Sequence, residues 1–169
     1  GSKVVIISYG TNDAGYKNTS GFITNYKNLI NDIKNGIPGV TIFVNKIFPG
    51  DASKANSNGK ICIENIPAHN DALNQICSDT GAFLIDCTGI PNLMSYYSND
   101  GIHFKSEFYK LWYEDMKSKV LSHTGGNTSG NSPSGVAGPK AEEDNSIVIK
   151  GGFLIETPRL LQCYGLEDN

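Results

Sequence analysis

Apolar residues fall in short runs that alternate with amphipathic stretches. "KVVIIS" (3–8) is continuous, apolar and β-branched, the pattern of a strand buried on both faces. In "FITNYKNLINDIKNG" (22–36), Phe22, Tyr26, Leu29, Ile30 and Ile33 share one helical face, and Gly36 suits the C-terminal cap. "GVTIFVNKIF" (39–48) reads as a second strand, and the Gly- and Asn-rich "PGDASKANSNGK" (49–60) as a loop. The spacing next predicts a helix over about 66 to 79, with Ile66, Leu73, Ile76 and Cys77 inward and Gly81 ending it. "AFLIDC" (82–87) is a third strand. A last helix is expected from Ser106 to Leu121, with Phe108, Leu111, Met116 and Val120 as its apolar side. Strands separated by single helices imply parallel β-α-β units, hence an open α/β sheet with about three core strands.

The pattern changes after residue 122. "HTGGNTSGNSPSGVAGPKA" (123–141) has no apolar period, and its Gly/Ser/Asn/Pro content reads as a flexible linker. "NSIVIKGGFLIE" is strand-like again, and Thr157-Pro158 opens like a helix start. The division is thus an α/β domain over 1–122, a linker over 123–141, and a further module or short appendix over 142–169.

Composition removes several functional classes. The 169 residues carry a net charge of -3, with no Lys/Arg cluster that would suit nucleic acid or an anionic membrane. The longest apolar run is far short of the ~20 residues a membrane span needs. No signal peptide is read, because "GSKVVIISYG" runs directly into a strand. The four cysteines, Cys62, Cys77, Cys87 and Cys163, form no C-x-x-C and read as small buried hydrophobes, their pairing open. His69, His103 and His123 sit in different segments, which argues against a metal site. His69, on a helix, is expected to face solvent or cap.

Two short stretches carry chemistry. In "SYGTNDAGY" (8–16), Gly10, Thr11, Asn12 and Asp13 follow the first strand, where open parallel sheets build their ligand crevice. A glycine permits close backbone approach, and an Asn amide can donate to a developing oxyanion. An Asx-type turn explains the same residues without function. In "YYSNDGIHFKS" (96–106), Asp100 stands three residues before His103. A carboxylate so placed can orient an imidazole and hold its tautomer while the other ring nitrogen acts as general base. A bend ahead of the last helix is the plain alternative.

Taken together and in this order, the G-x-N-D of Gly10, Asn12 and Asp13 and the D-x-x-H of Asp100 and His103 resemble the SGNH (GDSL-type) hydrolase family, over about residues 3 to 122. The resemblance implies a flavodoxin-like three-layer sheet of five strands, here incomplete, and a Ser-His-Asp triad working through an acyl-enzyme. It implies that His103 is the base, Asp100 its orienter, and Asn12 an oxyanion donor in a block with Gly10 and Asp13. It implies no cofactor, a small-molecule or polysaccharide ester as substrate, and a secreted or cell-surface location. "NTS" at 18 and 127 fits that location only in a eukaryotic secretory pathway.

The nucleophile is not found. The family's G-D-S block does not precede "KVVIIS". "GDAS" (50–53) is one residue too long and follows the wrong strand, so Ser53 is disfavoured, as is Ser8 at a strand end. The serine is therefore expected outside this chain, which alone would be inactive. The first strand would then expose a hydrogen-bonding edge, to be covered by a preceding segment, a second copy, or "SIVIKGGFLIE" folding back. A non-catalytic carbohydrate- or cell-wall-binding module on the same fold is the competing reading. A nucleotide or flavin domain is weaker, because no G-x-G-x-x-G or P-loop follows any strand.

Overall fold

The computed structural model describes residues 3–124. Within them lie three parallel strands, β1 (Lys3–Ile7), β2 (Val40–Asn45) and β3 (Phe83–Ile85), in the order β1-β2-β3. Helices α1 (Ser20–Gly36) and α2 (Ser57–Thr80) make the two crossovers, and α3 (Ser106–Thr124) follows β3. The helix α3 thus runs past the expected Leu121. Except for its first two positions, the proposed linker lies outside the described residues, as does the segment 142–169.

Register explains why the strands read as unbroken apolar runs. β1 pairs with β2 through Val5–Ile42 and Ile7–Val44, and β2 with β3 through Phe43–Phe83 and Asn45–Ile85. Side chains alternate between faces, and both faces are covered. Ile7, Ile42 and Val44 pack with Phe22, Tyr26 and Ile30 of α1 and Leu73 and Ile76 of α2. Phe43 and Ile85 pack on the opposite face with Phe108, Met116 and Val120 of α3. This is a three-layer α/β sandwich, the incomplete flavodoxin-like sheet expected from the sequence.

The strands are not equally enclosed. Ile42, Phe43 and Val44 of central β2 are at most 2% exposed. Burial of this kind contributes roughly 1.5–3 kcal/mol per large side chain. Val4, Val5 and Ile6 of β1 are only half-buried, because β1 pairs with β2 alone among the described residues.

Four local expectations need correction. α2 starts at Ser57, well before residue 66, because the Asn56 side chain accepts from the Gly59 N–H and caps it; the polar "ANSNGK" is a capped first turn. His69 does not face solvent: it is fully buried between Ile66 and Leu73 on the inward stripe of α2, its ring edge-on to Phe22. Leu29 and Leu111 are exposed, because α1 buries the narrower Phe22-Tyr26-Ile30 stripe and α3 turns Phe108 and Trp112 toward the core. Gly36 is the last helical residue and not the cap, which falls to Ile37; Gly81 does end α2, in the left-handed conformation with φ 68°.

Candidate active site

The G-T-N-D turn leaves β1 through Gly10, at φ +125°. A Cβ there would lie 2.5 Å from Ile47 Cδ1, so the turn fits against the segment after β2 only because residue 10 has no side chain. A short 3-10 turn, Asp13–Gly15, follows, with Ala14 N–H donating to the Gly10 carbonyl at 3.0 Å. From α2, the Asn65 amide donates to the Ala14 carbonyl at 2.9 Å. Asn12 occupies the capping position of the 3-10 turn, yet its side chain makes no capping bond. The Asx-turn explanation therefore does not account for it. Asn12 is half-buried and Asp13 exposed.

The D-G-I-H stretch sits in a hairpin-like loop closed by an antiparallel bridge between Tyr97 and Phe104. Ser98 N–H donates to the His103 carbonyl at 2.8 Å. Inside it, the two oxygens of Asp100 have separate duties. Oδ1 accepts from Ser98 Oγ at 2.8 Å and from the backbone N–H groups of Ile102 and His103, each at 2.9 Å. Oδ2 meets His103 Nδ1 at 2.6 Å. Turn-making and imidazole-holding are thus both true of Asp100.

The electrostatics follow from that list. Partial burial alone would raise the Asp100 carboxyl. The bonds from the His103 ring, the His103 and Ile102 N–H groups and Ser98 outweigh it and hold the carboxyl well below the usual carboxylate range. A carboxylate fixed at Nδ1 requires the proton on that nitrogen, which leaves Nε2 as the basic atom of the neutral ring. The side chains of His103 and Asp100 are 25% and 36% exposed, open enough to meet a ligand.

The segment after β2 joins the two motifs. Ile47 lies against Gly10, and Asp51 N–H donates to the Gly101 carbonyl at 2.7 Å. Four residues of chain span at most about 14 Å, which bounds the separation of Ile47 and Asp51. Both motifs therefore stand at the C-terminal ends of the strands, where open α/β sheets bind ligands. An open cleft of about 450 Å³ lies along the segment after β2, walled by Ile47, Pro49, Ile63 and Pro67, and neither motif contributes a residue to its lining. Lys46 and Asp86, paired at 2.9 Å, form part of its rim. Partial burial would raise the Asp86 carboxyl, but hydrogen bonds from Thr88 and Lys46 lower it to about 2.

The remaining candidates fall out differently. Ser53 is exposed and donates its Oγ to Asp51 Oδ1 at 2.6 Å, so it serves a turn and not an imidazole. Ser8 is exposed at the end of β1. Cys62, Cys77 and Cys87 are buried, and burial pushes Cys77 up to about 11 and Cys87 to about 12, far from reactive thiolates. Among the described residues no group of His, Cys, Asp and Glu is placed to hold a metal ion, and no helix is long and apolar enough to cross a membrane. Sequence reading missed Ser98, whose position two residues before Asp100 was the available signal, and Asn65, which nothing in the sequence marks.

No curated protein matches the chain. A protein-family model does match, over residues 1–111, a span that takes in both motifs and all three strands: the chain belongs to the GDSL-like lipase/acylhydrolase family, whose chemistry is ester hydrolysis.

Proposed function

We propose that the protein is an ester hydrolase working through an acyl-enzyme, with His103 as general base, Asp100 as its orienter and the Asn12 amide as an oxyanion donor. The observation that carries this reading is the 2.6 Å contact of Asp100 Oδ2 with His103 Nδ1, in a loop that engages both carboxylate oxygens. Nε2 then accepts the proton of an attacking serine and returns it to the leaving alcohol. Asn12 supports the oxyanion role because its half-buried side chain stands in the turn after β1, at the C-terminal edge of the sheet, and its Nδ2–H group is the kind of donor that developing negative charge requires. Gly10 and Asp13 complete that turn, Gly10 by the close approach its lack of a side chain allows.

The nucleophile in this reading comes from outside the described residues. Ser53 and Ser98 are committed to carboxylates. A further strand, from a preceding segment or a second copy, would pair with the edge of β1 away from β2 and bring the serine beside Gly10. The substrate is an ester of a carbohydrate or lipid, and the Asn- and Ser-rich composition favours an extracellular or cell-surface setting.

Steady-state hydrolysis of short acyl esters by the full-length protein tests the proposal. His103→Ala is expected to lower kcat by about 10⁴-fold or more with little change in melting temperature. Near-normal turnover in that variant would overturn the assignment of His103. Absence of any turnover in the wild type would favour the alternative, a carbohydrate- or cell-wall-binding module.

A further inference from the structure

The "GDASK" turn after β2 is used by no step of that chemistry, and its serine is not free to attack. Its contacts nevertheless all point to one place. Gly50 N–H donates to the Tyr97 hydroxyl at 2.9 Å, and Asp51 N–H to the Gly101 carbonyl at 2.7 Å. Lys54 Nζ reaches the carbonyls of Met94 at 3.2 Å and Tyr97 at 3.3 Å, and Asp51 Oδ2 at 3.1 Å. Asp51 is itself fixed through its other oxygen by Ser53 N–H and Oγ. Every one of the three ammonium protons of Lys54 therefore has an acceptor, two of them on the chain just before Asp100.

We propose that the Gly50–Lys54 turn positions the Asp100–His103 pair, with Lys54 as its principal positioning residue. The proposal rests on the catalytic reading of that pair. Between β3 and α3 the chain has only the short 3-10 turn Leu93–Tyr96 and one isolated bridge. Such a stretch has few backbone bonds of its own to fix it. Aromatic packing anchors its base, since Tyr97 is buried and stacks on Phe104 at 4.4 Å between ring centroids. Gly101 lies beyond that packing: its N–H donates to the Ser98 carbonyl at 3.2 Å within the loop, and its carbonyl is held from outside by the Asp51 N–H of the turn. A Cβ on Gly101 would lie 2.2 Å from the Asp51 carbonyl oxygen and 3.0 Å from Ala55 N, so turn and loop meet backbone to backbone.

Positioning separates from stability at Lys54. Its side chain is 33% exposed, so water can replace the ammonium at both carbonyls if it is removed. The fold then loses little, but the chain before Asp100 loses its two ammonium ties, while the Gly50–Tyr97, Asp51–Gly101 and Lys105–Ser95 bonds remain. A displacement of about 1 Å at a reacting group can lower a rate by 10²-fold.

The test reads the imidazole directly. A proton held between Nδ1 and a carboxylate oxygen gives a far-downfield resonance in proton NMR, followed here over a pH series in the full-length protein. The wild type is expected to show it. Lys54→Met should broaden or abolish it while the melting temperature stays within a few degrees, and Lys54→Arg should restore it. A resonance in Lys54→Met as sharp as in the wild type, at every pH, would overturn the proposal. No such resonance in the wild type would instead refute the Asp100–His103 pairing, leaving nothing to position.

Discussion

In the Gly10–Gly15 turn the backbone bonds to itself and to Asn65, and the Asn12 amide caps nothing. In the Tyr97–Lys105 loop the reverse holds: Asp100 makes the turn with one oxygen and grips His103 with the other. The two stretches stand at the same end of one sheet and were equally short signals in the sequence. Their difference matches two chemical needs. A donor to an oxyanion must be rigid in its backbone yet uncommitted in its side chain. A general base must have its tautomer chosen beforehand, which requires a committed partner. The first turn is a platform and the second is a closed network.

Variants can break this comparison. The largest expected effect is on the network side. Asp100→Asn keeps the size of the side chain but exchanges the charged acceptor at Nδ1 for an amide, and kcat should fall by about 10⁴-fold. Steady-state kinetics with the melting temperature alongside would check it. On the platform side, Asn12→Ala should lower kcat by about 10²–10³-fold. Its thermal stability should stay unchanged, since no capping bond is lost; a large drop in melting temperature would show that Asn12 is structural after all. Gly101→Ala tests the backbone contact between loop and turn. At φ +71° and 2.2 Å from the Asp51 oxygen, the added methyl should destabilise by at least about 2 kcal/mol in chemical denaturation.

The smallest effect is on stability against pH. The folded Asp100 carboxyl lies below its ordinary value of about 3.9. Its contribution is therefore present above about pH 4 and is lost as pH falls below that value toward and through the lower folded one. Denaturation midpoints measured from pH 6 downward should fall in the wild type and fall less steeply in Asp100→Asn. Equal slopes would mean that the Asp100 network contributes nothing to acid sensitivity.

Much of the architecture could be read from residue spacing, because strands covered on both faces and helices with one apolar stripe leave plain signals. "VTIFVN" and the Phe22-Tyr26-Ile30 stripe are examples. The start of α2 was hidden because Asn, Ser and Gly serve loops and capped first turns alike, and only the Asn56–Gly59 bond decides. His69 was misplaced by residue type, although its spacing from Ile66 and Leu73 put it on the buried face. The two motifs were legible as patterns, and the expected Asp100–His103 contact is present. What no sequence pattern gave is how they are held. Asn65 and Lys54 act from positions 51 and 46 residues away from Ala14 and Asp100, and side-chain contacts across such distances leave no periodic trace.

The most direct test of the account is intact-mass analysis after treatment with a fluorophosphonate serine probe, with the wild type and His103→Ala compared in the full-length protein. The account predicts a single adduct that forms in the wild type and not in His103→Ala, mapped to a serine other than Ser53 and Ser98. An adduct that forms equally well without His103, or one that maps to Ser53, would contradict it.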